Sequence, residues 1–300
     1  MSDTLRTIGL KKRFGRTRVL DGLDMAVPEG AIYGLVGPNG AGKSTTIKIL
    51  MNIYRASRGR AEVFGRDSRK ISPRRDLTRI GYVSENQEFP EWMTVGYFMA
   101  YLKPFYPAWD DERAEELLRQ FELPRDRKLM HLSHGMRMKA ALASSLAYRP
   151  QLIVLDEPFT GLDSLVRDEL IEGLLESAEG ATIFISSHDL AEIESFASHV
   201  GYLDRGRLQF SEEMSLLIQR FREVEVMLAG PAPQANGWPA TWLNVEQSPA
   251  LVRFVDAQFD AEKSTADVRR VFGEGSAVAV RPMPLRQIFV TLARAGRKAA

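Results

Sequence analysis

Between Ala31 and Met51 the chain places a glycine-rich turn, Gly37-Pro38-Asn39-Gly40-Ala41-Gly42-Lys43-Ser44-Thr45, after a short apolar run and before a helix-like one. No other stretch limits the possible folds so tightly. Ala31 to Val36 reads as a buried strand, and Ile47, Leu50 and Met51 recur at helical spacing in a helix expected over Thr45 to Tyr54. The turn therefore feeds a helix N-terminus. Gly37, Gly40 and Gly42 can take the backbone angles that let successive N–H groups converge on an anion, and the helix dipole adds positive potential there. The spacing G-x-x-x-x-G-K-[ST] in that setting marks a polyphosphate site. Lys43 is placed to bridge the β- and γ-phosphates, an attraction of roughly 4 kcal/mol at about 4 Å with an effective dielectric of about 20. The Ser44 hydroxyl suits Mg²⁺, a hard cation that prefers oxygen ligands.

At 300 residues, 44% of them hydrophobic, the chain can hold a nucleotide-binding core and one small further domain. Forty Lys and Arg against 39 Asp and Glu leave a net charge of +1, so no global field favours nucleic acid or an anionic membrane. The absence of cysteine excludes disulfides and thiolate metal sites and suits a reducing compartment. Met1 to Phe14 lacks the apolar stretch of a secretory signal, and no run approaches the ~20 apolar residues of a membrane span. Any membrane part is expected on another chain.

Thr4 to Val27, broken by Gly15 and Asp21-Gly22, reads as a small antiparallel sheet containing Phe14. Strands are expected near Phe64 and over Arg79 to Val83, the latter followed by Ser84-Glu85-Asn86-Gln87. From Phe89 to Tyr148 helix formers dominate, with an apolar face at Ala114, Leu117, Leu118 and Phe121 and breaks at Pro104, Pro107 and Pro124. The many aromatics of this segment, Trp92, Phe98, Tyr101, Phe105, Tyr106 and Trp109, are expected chiefly to pack internally, with a partner-binding groove as the other reading. Strands resume at Leu152 to Leu155 and Ala181 to Ser187, with a helix between them over Leu165 to Ala178 and a hairpin over Val200 to Phe210. This is the pattern of a parallel sheet with crossover helices. After about Ser211, strands at Glu223 to Leu228, Leu251 to Ala257 and Ala277 to Val280 alternate with helices at Ala261 to Phe272 and Leu285 to Ala293. Pro231, Pro233 and Gly237-Trp238-Pro239 mark loops, and Arg297 to Ala300 reads as a solvated end.

The discriminating chemistry lies outside the first turn. Leu152-Ile153-Val154-Leu155 delivers Asp156 to the end of a buried strand, where it can hold Mg²⁺, and Glu157 follows, placed to orient or deprotonate a water. His188 ends the next strand, within reach of a γ-phosphate. Leu132-Ser133-His134-Gly135-Met136 precedes a helix expected over Arg137 to Tyr148 and makes a second anion-ready N-terminus.

With these motifs in this order, the chain from roughly Leu5 to Phe210 resembles the ABC-type ATPases, the nucleotide-binding subunits of ABC transporters. The resemblance implies an α/β fold: a P-loop RecA-like ATPase core with an antiparallel β-sheet and a helical signature subdomain, plus a small C-terminal α+β appendage. It divides the chain into 1–88, 89–151, 152–210 and 211–300. Gly37 to Thr45 matches the Walker A loop, Leu152 to Asp156 the Walker B strand, Glu157 the catalytic carboxylate, Leu132 to Met136 the signature, Gly161-Leu162-Asp163 the D-loop and His188 the switch histidine. Phe14 matches the aromatic that stacks on adenine, and Val19 is grouped with it as nucleotide-binding. Glu85 falls where the family usually carries the Q-loop glutamine, on the metal side of the site, and Gln87 is the alternative under a shifted register. His134 and Met136 stand where the commonest signature has Gly and Gln.

What the resemblance implies further is ATP and Mg²⁺ as cofactors, and two subunits, a homodimer or a heterodimer, sandwiching two ATPs. Ser133 and Gly135 of one subunit would then touch the γ-phosphate held by Lys43 of the other. The subunits would drive a separate transmembrane permease, exporter-type by the Glu85, His134 and Met136 variants together with the Pro284-Leu285-Arg286-Gln287-Ile288-Phe289 segment, from the cytoplasmic face of the cell membrane. No nucleic-acid partner is expected. The competing readings are a non-transport ABC ATPase, which the lack of coiled-coil insertions and basic segments disfavours, and an ATP-binding regulatory subunit with little turnover.

Overall fold

The computed structural model describes residues 2–71, 76–178, 180–228, 237–273 and 275–298. They form two compact units, Met1–Ser211 and Glu212–Ala300. In the first, strands Asp3–Phe14 (β1) and Thr17–Pro28 (β2) pair antiparallel. Ile32–Val36 (β3) leads into the helix Lys43–Leu50 (α1), and Arg58–Val63 (β4) and Arg66–Asp67 (β5) complete a four-stranded sheet of order β2-β1-β4-β5. Ile80–Val83 (β6) precedes three helices, Val95–Leu102 (α2), Asp111–Gln120 (α3) and His134–Leu146 (α4). Leu152–Asp156 (β7), Ser164–Ser177 (α5), Thr182–Ser187 (β8), His199–Asp204 (β9) and Arg207–Glu213 (β10) follow.

The central sheet has the order β10-β9-β3-β8-β7-β6, and β9, β3, β8, β7 and β6 run parallel. Every residue of β7 and β8 is buried, as in strands covered on both faces, and their apolar residues Leu152 to Leu155 and Ile183 to Ile185 are bounded by polar Asp156, Thr182, Ser186 and Ser187 at the strand ends. Tyr33 of β3 stacks on Phe184 of β8 with ring centroids 5.6 Å apart, and its buried hydroxyl meets Ser211 Oγ at 2.7 Å. The register sets Val36 beside Ser187, Asp156 beside Ser186 and Val83 beside Leu155. The loops after β3, β7, β8 and β6 thus open on one edge of the sheet, where ligands of open α/β sheets bind.

Several helix ends differ from the sequence reading, the last helix running to Lys298 rather than Ala293, and two of the differences bear on the site. α1 stops at Leu50 rather than Tyr54, because Asn52 takes φ +58° and the N–H groups of Ile53 and Tyr54 return to the Lys48 carbonyl at 2.8 and 2.9 Å. α4 starts at His134 rather than Arg137, capped by Ser133, whose Oγ accepts the Met136 N–H at 3.2 Å. Gly135 therefore lies inside the first helical turn. The predicted face of α3 is buried, as is Phe121 after it, but the aromatics of this segment divide. Phe98 is buried and Tyr106 stacks on Tyr148 at 4.0 Å, while Trp92, Tyr97, Tyr101 and Phe105 are exposed. The helical period of α2 causes the split: Tyr97 and Tyr101 share one face, opposite the buried Val95, Phe98 and Met99.

The second unit holds a helix Met214–Arg220 (α6) and an antiparallel sheet of Arg222–Met227 (β11), Trp242–Gln247 (β12), Leu251–Asp256 (β13) and Ala277–Pro282 (β14) in the order β12-β13-β11-β14. Helices Ala261–Phe272 (α7), closed by Gly273, and Leu285–Lys298 (α8) accompany it. Its core gathers Val224, Val226, Val252 and Val268 around Trp242, which stacks on Phe254 at 4.0 Å. The sequence reading lacks α6 and β12. In β12, Asn244 takes φ +49° and shifts the register between Leu243 and Glu246, which breaks the alternation a strand is read from. The expected loop at Pro231 and Pro233 and the terminal Ala299-Ala300 lie outside the described residues.

Candidate functional site

The turn after β3 is built so that α1 begins at Lys43. Its cap, Gly42, has φ +112°, and a Cβ there would stand 2.6 Å from Leu20 Cδ2, so only glycine fits. Lys43, buried, donates from Nζ to the carbonyls of Gly37 at 2.6 Å and Pro38 at 3.2 Å. The same ammonium lies 3.0 Å from Glu157 Oε1.

Glu157 is held from several sides. Its φ is +52°, a left-handed backbone that swings the side chain off the line of β7, and its N–H donates to Ser186 Oγ at 3.0 Å. Its Oε2 lies 2.8 Å from His188 Nδ1, accepts the His188 N–H at 3.2 Å and accepts the Thr160 hydroxyl at 3.4 Å. One residue earlier, Asp156 Oδ1 accepts the hydroxyls of Ser44 at 2.9 Å and Ser186 at 2.7 Å.

The electrostatics separate the two carboxylates. Burial raises the Asp156 carboxyl above its ordinary value, in spite of hydrogen bonds from Ser186 and Ser44. Burial also works against ionised Glu157, but the hydrogen bonds from His188 and Lys43 together outweigh it and hold its carboxyl below the ordinary value. The reciprocal effect on His188, its hydrogen bond to Glu157 foremost, raises the imidazole.

These groups surround a cavity of about 470 Å³. Of the residues read from the sequence, Val19, Asn39, Gly40, Gly42, Lys43, Ser44, Thr45, Glu85, Glu157 and His188 line it together. Gly37, Pro38 and Ala41 belong to the same turn, and Asp156 sits behind Ser44. Glu85, not Gln87, reaches this cavity; Gln87 turns back, its Oε1 3.4 Å from the Ser84 N–H. Four residues lie elsewhere. Phe14 is exposed, edge-on to Tyr54 at 5.4 Å with the Lys12 ammonium 4.6 Å from its ring centroid. Ser133 caps α4, Gly135 packs so closely on α5 that a Cβ would stand 2.6 Å from Val166 Cγ1, and Asp163 caps α5 by accepting the Val166 N–H at 3.0 Å. Thr160 lines the cavity without having been singled out; its one sequence cue is a place three residues after Glu157, where its N–H closes a turn onto the Glu157 carbonyl.

An ammonium, a hydroxyl pair and a helix N-terminus can receive a polyphosphate, and the ionised carboxylate beside the ammonium can take a proton from water. The oxygens of Ser44 and Asp156 suit a hard cation. Among the described residues no group of three or more His, Cys, Asp or Glu forms a metal cage, so ligand oxygens and water would complete such a cation's shell.

Comparison with known proteins gives the family. Residues 20–160 match the family pattern described as ABC transporter. The daunorubicin/doxorubicin resistance ATP-binding protein DrrA of Streptomyces peucetius is 37% identical over 211 residues, 68% of this chain and 63% of that protein. The bacitracin transport ATP-binding protein BcrA of Bacillus licheniformis is 34% identical over 213 residues, 69% of each chain. The chain spans 63% to 65% of the length of three of the curated relatives it matches. Among solved structures, an ATP-binding subunit of an ABC transporter superposes with a TM-score of 0.66 at 28% identity, covering 72% of this chain and 92% of that one. With 34% identity over 69% of the bacitracin transport ATP-binding protein and the fold of a solved ATP-binding subunit, the chain belongs to the ABC transporter ATP-binding family.

Proposed function

We propose that this chain is the ATP-binding and ATP-hydrolysing subunit of an exporter-type ABC transporter, working as a dimer with separately encoded permease subunits. The observation that carries the reading is the meeting of Lys43, Ser44, Glu157 and His188 in one cavity at the ends of three adjacent parallel strands, with Asp156 hydrogen-bonded behind Ser44.

The turn from Gly37 to Thr45 binds the phosphates through its N–H groups, and Lys43 exchanges Glu157 for the β- and γ-phosphate oxygens. Glu157, no longer paired with the ammonium, accepts a proton from a water whose oxygen attacks the γ-phosphorus; the bond to the β-phosphate oxygen breaks and its electron pair leaves with ADP. His188 orients Glu157 and the γ-phosphate. Mg²⁺, held by Ser44 and Asp156 with Glu85 beside it, would neutralise phosphate charge. Phe14 and Val19 flank the base. Ser133 and Gly135 of a second copy, with Asp163 beside them, close the site over the γ-phosphate, so two copies share two ATPs.

Several observations support the transport half of the reading. Relatives are named for drug resistance and bacitracin transport. Among the described residues no helix is long and apolar enough to cross a membrane, which fits a membrane part on other chains and a peripheral place on the inner face of the cell membrane. The exposed Trp92, Tyr97, Tyr101 and Phe105 offer an aromatic face of the kind that protein partners cover. Light scattering of Glu157→Gln with and without MgATP tests the shared site: dimers only with MgATP are the expected result, and a monomer under both conditions overturns it.

A further inference from the structure

His134 stands in the first turn of α4, and its Nε2 lies 3.1 Å from the carbonyl oxygen of Thr160, in the loop between β7 and α5. A carbonyl can only accept, so Nε2 carries the proton in this contact. Thr160 faces two ways. Its carbonyl meets His134, while its hydroxyl meets Glu157 Oε2 at 3.4 Å, the same oxygen that His188 Nδ1 approaches to 2.8 Å. The loop is otherwise closed by turns from the Thr160 N–H to the Glu157 carbonyl at 3.3 Å and from the Leu162 N–H to the Phe159 carbonyl at 3.2 Å. Two hydrogen bonds through one residue therefore connect the signature turn with the carboxylate.

We propose that His134 is a positioning residue that ties the signature turn to the Glu157 loop within one chain, so that what engages the signature also sets the carboxylate of that same chain. The second clause rests on the shared-site reading above; the link itself does not.

Magnitudes separate this role from plain packing. The join between α4 and α5 is already made by Gly135 against Val166 and by the ion pair of Lys139 with Glu169, at 2.6 Å. His134 is exposed, and one neutral hydrogen bond at the surface adds little to global stability. What it does add is local order, because it fixes the peptide plane that carries the Thr160 hydroxyl. A glycine at this position, as in the commonest signature, has no side chain to make the bond.

Three variants test it: His134→Gly removes the donor, His134→Gln replaces it with an amide N–H of similar reach, and Thr160→Val removes the hydroxyl at nearly constant shape. Amide hydrogen exchange on the isolated full chain reads the link without any need for dimers. Exchange at Thr160 and Leu162 is expected to be about threefold to tenfold faster in His134→Gly, the range that one ordinary hydrogen bond represents, and close to wild type in His134→Gln. Unchanged exchange in His134→Gly overturns the link. In ATP hydrolysis, His134→Gly should lower kcat with nucleotide affinity retained, His134→Gln should restore it, and His134→Gly should have no further effect in a Thr160→Val background. Full additivity of the two substitutions would mean that His134 acts by another route and overturns the proposal. If wild type itself shows no turnover, the reading of the chain as an ATPase fails, while the exchange measurement still decides the link.

Discussion

Lys43 Nζ and Glu157 Oε1 lie 3.0 Å apart, both side chains buried, so the ammonium of the phosphate turn and the carboxylate after β7 form an ion pair inside the cavity. Each restrains the other, and a phosphate competes with Glu157 for Lys43.

Replacing Glu157 with glutamine removes that competition along with the base. The expected outcome is nucleotide binding several-fold tighter than wild type, by calorimetric titration, with turnover reduced at least about 100-fold. Equal affinity in the two proteins would mean that the pair does not restrain Lys43.

The Glu157–His188 pair gives a pH dependence with a definite sign. His188 is raised above its ordinary 6.5, so its share of stability is complete below 6.5 and fades as pH rises through the raised value. Glu157 is lowered below its ordinary 4.5, so its share is complete above 4.5 and fades as pH falls through the lowered value. Thermal stability lost in His188→Gln should therefore be largest between pH 4.5 and 6.5 and shrink on either side. The His188 imidazole, followed by proton NMR, should titrate above 6.5 in wild type and move down in Glu157→Gln.

Glu85 is a second acidic residue, besides Glu157, in the lining of the cavity that also contains Ser44. Glu85→Gln should tighten ATP binding without Mg²⁺ and raise the Mg²⁺ concentration for half-maximal hydrolysis, each by about threefold to tenfold. If neither quantity changes, Glu85 takes no part in the metal side of the site.

In the second unit, Trp242 stacks on Phe254 at 4.0 Å and lies parallel to Phe272 at 5.8 Å. Trp242→Ala should destabilise that unit by about 3–5 kcal/mol, visible as an early transition in calorimetry. ATP binding by the first unit should persist at temperatures above that transition. Loss of ATP binding at the same temperature would mean that the units unfold together.

Much of the first unit was legible because one signal repeats there: an apolar strand, then a polar loop. Val36, Asp156 and Ser187 each end a strand of this kind, and the parallel register then brings Lys43, Glu157 and His188 to one edge. Thr160 was not legible, because its part depends on the turn that folds it back over Glu157 and not on any strand. The aromatics of α2 were legible only in part. Composition does not separate Phe98 from Tyr101; the helix phase decides that the first is buried and the second faces out. β12 was lost because a single left-handed residue, Asn244, interrupts its alternation.

The left-handed backbone at Glu157 also bears on how this chain would drift under selection. A non-glycine residue at φ +52° costs about 1 kcal/mol or more locally, and a glycine or asparagine would bear that conformation more easily. A library selected only for heat resistance should therefore enrich those residues at position 157 and discard the carboxylate, whereas selection for turnover should keep Glu157 and recover stability at other positions.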